Sequence, residues 1–179
     1  MRTNEIELNL LSWNSKAMFI HEIDPDVTFL QEIWEPKQMI IDLIQGLKIK
    51  NLRGDGYGGT LLASKLPNLN PTSNSIKLND DTVITKFVLA GNRFLWLSSL
   101  YINHGTKKNV LNTMAELQRH IPESDWPYII LAGDWNVNLN DKDNKITEAL
   151  NYVWKSMNLN IIRCGNSRIE REIDFVVWE

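Results

Sequence analysis

The stretch YIILAGDWN, residues 128–136, decides how the rest of the sequence is read. Tyr128–Leu131 is a short apolar run, rich in β-branched residues and closely followed by a glycine, which is the pattern of a buried strand. Gly133, Asp134, Trp135 and Asn136 follow it. A glycine there lets the backbone turn or approach a neighbour closely. The carboxylate and carboxamide after it then stand at the rim of a sheet. Taken alone, Asp134 and Asn136 also read as an Asx-turn.

Three other apolar runs close in the same way. Ile6, Leu8 and Leu10 alternate with polar residues, and that run ends at Asn14; VTFLQ ends at Glu32; EIDFVVW carries Asp174 inside its apolar pattern. Each has a plain structural reading. Asn14 serves as a turn residue or helix N-cap, and Glu32 as a surface charge. Asp174 is harder to set aside, because a carboxylate in a buried strand is costly unless it is paired or metal-bound. Two or three carboxylates with carboxamides, on separate strand ends, form the donor set of a hard cation such as Mg²⁺ or Mn²⁺. Such a cation serves phosphodiester hydrolysis.

Outward from these runs the elements alternate. Pro36, Met39, Ile40, Leu43 and Ile44 predict a helix stopped by Gly46. Leu47–Leu52 and Thr60–Ala63 form a hairpin around RGDGYGG at 53–59, and PNLNPTSN at 67–74 reads as a loop. Val83–Leu89 and Phe94–Leu100 flank Ala90-Gly91-Asn92 as a second hairpin. Val110, Leu111, Met114, Leu117 and Ile121 mark an amphipathic helix closed by Pro122. A second stripe runs from Ile146 to Met157, and Leu159–Ile162 and Ile173–Trp178 read as strands. Hairpins mixed with single interposed helices predict a mixed α/β domain rather than a purely parallel sheet.

At 179 residues, 43% hydrophobic and 23% charged, the chain reads as one globular domain over 1–179, not a disordered or fibrous one. Cys164 is its one cysteine, which excludes a disulfide framework and a cysteine zinc site. The net charge of −3 argues against a polyanion binder that works by bulk electrostatics. The opening residues lack the apolar run of a signal peptide, and no stretch approaches the roughly 18 apolar residues of a membrane span. The expected location is intracellular, in cytoplasm or nucleus.

In order, LSWN, DPDVTFLQEIW, GYGGTLLAS, LSSLYINHG, YIILAGDWN and EIDFVVW resemble the endonuclease/exonuclease/phosphatase superfamily over nearly the whole chain. Their style is nearest to retroelement and apurinic-site endonucleases. The resemblance implies a four-layer α-β-β-α sandwich of two mixed sheets, and a Mg²⁺- or Mn²⁺-dependent phosphodiesterase acting on DNA. It makes Glu32 the principal metal ligand, with Asn14 beside it. Asp134 orients or deprotonates the attacking water, Asn136 holds the scissile phosphate, and Tyr101 contacts the phosphate or the attacking group. Asp174 orients the family's catalytic histidine.

That histidine lies in an S-D-H motif on a later strand of the family. Here five residues follow Asp174, and His21, His104 and His120 stand elsewhere. The expectation is therefore a minimal scaffold without that strand, folding and binding metal but hydrolysing DNA weakly or not at all. Its final strand would lie at an exposed sheet edge open to a partner segment. His104, just after the Tyr101 strand, Trp135 as a base-stacking face, and Lys108 toward DNA phosphates complete the expected substrate contacts. Trp96 and Trp154 are expected in the core. Two rival readings stay open: an inactive binding relative, and a small-molecule or lipid phosphoesterase of the same superfamily.

Overall fold

The computed structural model describes residues 9–14, 25–31, 47–52, 59–64, 70–71, 76–79, 82–102, 104, 106–141, 145–163 and 174–178. The predicted helix after Pro36, the turn at 53–58 and Glu32 lie outside these residues.

The first sheet contains β1 (Leu10–Asn14), β2 (Val27–Gln31), β3 (Leu47–Leu52) and β4 (Gly59–Ser64), in the order β1-β2-β4-β3. β1 and β2 are parallel, and the other two pairings are antiparallel. The second sheet contains β5 (Asn70–Pro71), β6 (Ile76–Asn79), β7 (Thr82–Val88), β8 (Phe94–Tyr101), β9 (Ile129–Asp134), β10 (Asn160–Arg163) and β11 (Asp174–Trp178). Its order is β10-β11-β9-β8-β7-β5, with β6 pairing β7 off this path. β8 and β9 are parallel because a helix, α1 (Lys107–His120), carries the chain between them.

The β7–β8 hairpin closes on Ala90–Asn92, where Gly91 and Asn92 have φ of 75° and 57°. Few other residue types accept that conformation at low cost. In α1 the buried residues Val110, Met114 and Leu117 recur at helical spacing, and Thr106 caps the start by accepting from the Asn109 N–H at 3.2 Å. The stripe of α2 (Lys145–Ser156) buries Leu150 and Trp154.

Two cores follow from strand alternation. One face of the second sheet packs on both helices, through Leu100, Leu131, Val110, Met114, Leu150 and Trp154. The other meets the first sheet, where Val27, Phe29 and Leu62 interlock with Val83, Phe87, Leu97 and Ala132. Every residue of β2 and β4 is buried, so the first sheet is covered on both faces, as a layered sandwich requires.

Three expectations need correction here. The loop predicted at 67–74 contains β5, whose Asn70 and Pro71 pair with Val88 and Phe87 at the sheet's margin, a place where proline is tolerated. A 3₁₀ segment, Glu123–Tyr128, occupies the start of the predicted Tyr128 strand. The strand after Asp174 is no edge: β11 is hydrogen-bonded to β9 on one side and β10 on the other, so both its ladders are filled.

The 3₁₀ segment fixes the end of the sandwich where β9 begins. Asp125 is buried there, with Oδ2 accepting from Lys86 Nζ at 2.9 Å and Trp96 Nε1 at 3.0 Å, and Oδ1 from Ser124 Oγ at 3.1 Å. Lys86 Nζ also sits 3.9 Å from the centre of the Phe94 ring. Burial pushes the Asp125 carboxyl up, but the bonds from Trp96, Lys86 and Ser124 outweigh it and hold the group below the usual carboxylate range.

Candidate active site

The other end of the same strands is built differently. Along β9, Ile130 and Ala132 face the first sheet while Ile129 and Leu131 face the helices. Continued by two residues, that alternation turns Asp134 toward the first sheet and Trp135 toward the helices. Asp134 is fully buried at the strand end. Trp135 is also fully buried, edge-on to Trp154 with centroids 5.4 Å apart. The expectation that Trp135 offers a face to substrate is therefore corrected: the indole is a core residue.

Gly133 explains how the carboxylate is delivered. Its φ is +153°, and a Cβ there would lie 1.9 Å from the Leu100 carbonyl oxygen on β8. Just beyond it the chain folds into a tight turn. Asp134 Oδ1 accepts from the Asn136 N–H at 2.9 Å, and Asn136 adopts φ of 52°. Asn136 Nδ2 donates to the Ile102 carbonyl at 3.0 Å, and the Ile102 N–H donates to the Asp134 carbonyl at 2.9 Å. The Asx-turn and the rim carboxylate are thus the same structure. An amide NH₂ has two hydrogens, so Asn136 keeps a second donor beyond the one given to Ile102.

Register brings the rest together. Tyr101 of β8 lies opposite Asp134, and Asp134 lies opposite Asp174 of β11. Residues opposed in this way on antiparallel strands hold their Cβ atoms about 4.5–5.5 Å apart. On the first sheet Asn14, Gln31 and Thr60 form a matching row. The two rows share one end of the sandwich, because Gln31 Nε2 donates to Ser99 Oγ across the gap at 3.3 Å. Asn14 and Asp174 are placed by backbone register, and Glu32 directly follows Gln31.

The remaining expected contacts sit on the rim. His104 is exposed and holds φ of 63°, two residues beyond Ile102, which is tied to the Asp134 turn. Lys108 is exposed in the first turn of α1, which has no acidic residue. A helix start carries partial positive charge, so two lysines there, Lys107 and Lys108, concentrate it.

Two carboxylates in adjacent register positions repel unless they share a proton or a cation. Among the described residues, no group of three or more His, Cys, Asp or Glu side chains is assembled for a metal. No helix among them is long and apolar enough to cross a membrane.

Sequence reasoning passed over Gln31, Thr60 and Ser99, all fully buried on the inter-sheet face at this end. The signal was present as polar residues inside buried strand patterns, in TFLQ, GTLL and LSSL. A polar residue in such a run needs a partner, and Ser98 and Ser99 find theirs in the carbonyls of Val83 and Leu30, each at 3.1 Å.

The sequence profile of the endonuclease/exonuclease/phosphatase family matches residues 11–178, and the chain belongs to that family. The endonuclease domain of TRAS1, a telomere-specific non-LTR retrotransposon, superposes with a TM-score of 0.74 at 14% identity, over 96% of this chain and 84% of that one. Truncated Caenorhabditis elegans TDP2 gives a TM-score of 0.63 at 14% identity, covering 96% and 83%. D. rerio TDP2 complexed with a single-strand DNA product gives 0.59 at 14% identity, covering 95% and 82%. At these identities the likeness is one of fold. No curated protein matches the chain in sequence.

Proposed function

We propose that residues 1–179 act as one domain, a divalent-metal-dependent phosphodiesterase that cleaves DNA as an endonuclease of retroelement or apurinic-site type. The observation that carries this reading is the register row Tyr101–Asp134–Asp174, set opposite Asn14–Gln31 at one end of the sandwich. Family membership and the fold shared with a retrotransposon endonuclease support it. Mg²⁺ or Mn²⁺ would be held by Glu32 and Asn14 with carboxylate help from the opposite row. When bound, it would supply neutralising charge for the phosphate and a more acidic water.

The chain's own residues would do the rest. Asp134 has one oxygen fixed in the Asx-turn, so its carboxylate is preoriented to position a water and accept its proton. The second Asn136 amide hydrogen would meet a phosphate oxygen as negative charge builds on it. Tyr101, level with Asp134, would contact the same phosphate. Asp174 would balance charge beside Asp134. Lys108 and His104 would meet flanking phosphates of the strand being cut. A DNA substrate accords with an intracellular location.

The test is nicking of supercoiled plasmid and of abasic-site duplex in Mg²⁺ or Mn²⁺, with EDTA and Asp134→Asn controls. Bis-p-nitrophenyl phosphate and a phospholipid serve as rival substrates. Metal-dependent nicking that Asp134→Asn removes is expected. Preference for the small ester or the lipid would move the assignment to another phosphoesterase, and inertness toward every phosphodiester would leave a binding protein.

A further inference from the structure

The two halves of the candidate site belong to different sheets, and apolar packing between sheets is non-directional. Val27, Phe29 and Leu62 against Val83, Phe87 and Leu97 would tolerate a small slide. A hydrogen bond would not, since it weakens steeply with distance and angle. One stands directly beneath the site. Gln31 Nε2 donates to Ser99 Oγ at 3.3 Å, and Ser99 Oγ donates in turn to the Leu30 carbonyl at 3.1 Å. Gln31 and Ser99 are both fully buried and lie 68 residues apart in sequence.

The positions of the two partners give this bond its significance. Gln31 is the register partner of Asn14 and the residue before Glu32. Ser99 is two residues before Tyr101 on the same face of β8, one step below the row that contains Asp134. The serine is bound back to the Leu30 carbonyl, so it grips the first sheet at both a side chain and a main-chain atom. Two bonds from one oxygen fix its place along β2 as well as its distance from it.

We propose that Gln31 and Ser99 form a positioning clasp that sets the row Asn14–Gln31–Thr60 against the row Tyr101–Asp134–Asp174. The assignment rests on the site reading above and adds two residues that would touch neither metal nor substrate. Loss of the clasp would let the rows shift while leaving each sheet intact. A misplacement of about 1 Å can cost on the order of a hundredfold in rate.

Removing one partner buries an unsatisfied group, whereas removing both is close to neutral for stability. The decisive comparison therefore includes the double variant Gln31→Met/Ser99→Ala beside each single variant and Ser99→Thr. Backbone amide resonances are read on the sheet opposite each substitution: Asn14 for Ser99→Ala, Asp134 and Asn136 for Gln31→Met. Shifts of these amides, with restoration in Ser99→Thr and a double variant melting near the wild type, are expected. Opposite-sheet amides that stay in place in both Gln31→Met and Ser99→Ala would overturn the clasp.

Nicking assays then separate the two ideas. With an active wild type, the double variant should lose about ten- to a hundredfold in kcat with little change in KM for DNA. A change in KM alone would count against positioning. A wild type inert toward DNA would sink the function proposed above, and the amide comparison, which needs no activity, would still decide the clasp.

Discussion

The second sheet buries a carboxylate at each end, and the two are treated in opposite ways. At the end where β9 begins, Asp125 is met by a lysine, an indole N–H and a hydroxyl. At the end where β9 stops, Asp134 has another aspartate, Asp174, as its register partner. The first arrangement satisfies its charge from within the chain and stabilises the fold. The second sets two aspartates at facing register positions, a place that on the reading proposed above receives a cation and a phosphate. On that reading, burial alone does not separate a structural acid from a working one, and the groups set beside each acid do.

Exchanging the two acids for amides breaks that contrast most directly. Asp134→Asn should lower metal-dependent nicking by about 10²–10⁴, the range for loss of a general base, with little loss in melting temperature. Asp125→Asn should do the reverse, leaving nicking within about twofold and lowering stability. Equal losses of activity in both variants would erase the distinction.

Gly133→Ala probes how the working end is held. The added Cβ would overlap the Leu100 carbonyl oxygen at 1.9 Å in a backbone conformation that L-residues rarely adopt. Destabilisation on the order of 4 kcal/mol is expected, at the severe end for single substitutions. A urea melt with an unchanged midpoint would mean that β8 and β9 can separate there without cost.

The Asp125 end should carry an acid signature. Removing one partner of a buried ion pair costs about 3–5 kcal/mol, and less for Asp125→Asn because Lys86 keeps partial solvent contact. The folded pKa of Asp125 is depressed, so its stabilisation is complete above the unfolded value of about 3.9 and fades as pH falls through the folded value. Melting curves of wild type and Asp125→Asn should therefore converge below about pH 4. A constant gap from pH 6 to pH 2 would show that the pair is held by shape and not by charge.

The smallest effect belongs to the rim. Lys108→Ala should weaken DNA binding a few-fold whatever the sequence and reduce the salt slope by about one. Binding isotherms at several salt concentrations would show it, and an unaltered slope would place Lys108 away from the phosphates.

Much of this was legible from residue order because period and punctuation are local properties. The apolar runs Val27–Leu30 and Tyr128–Leu131, the Ala90–Asn92 turn and the stripe from Val110 to Ile121 each declare themselves within a few residues. Strand order does not, and so β11 was expected at an edge although it lies between β9 and β10. Trp135 was misassigned because the strand was stopped at Leu131. Two more steps of the same alternation would have sent it to the helices. Asp125 drew no attention because its partners Lys86 and Trp96 come from a hairpin about 30–40 residues away, a distance that no local pattern encodes. Glu32 and the helix after Pro36 lie outside the described residues.

The placement of β11 has a consequence in time. Asn160–Arg163 leaves the ribosome before Asp174–Trp178, yet among the described residues β10 reaches the rest of its sheet through β11. The two therefore dock on β9 together, as a preformed pair or in quick succession. At about 5–20 residues per second, the 40 residues from Asp134 to Asp174 (174 − 134) take roughly 2–8 s to synthesise. Throughout that interval the nascent chain holds one member of its carboxylate pair without the other. A protein proposed to cut DNA thus stays unarmed until nearly all of the residues described here have been made.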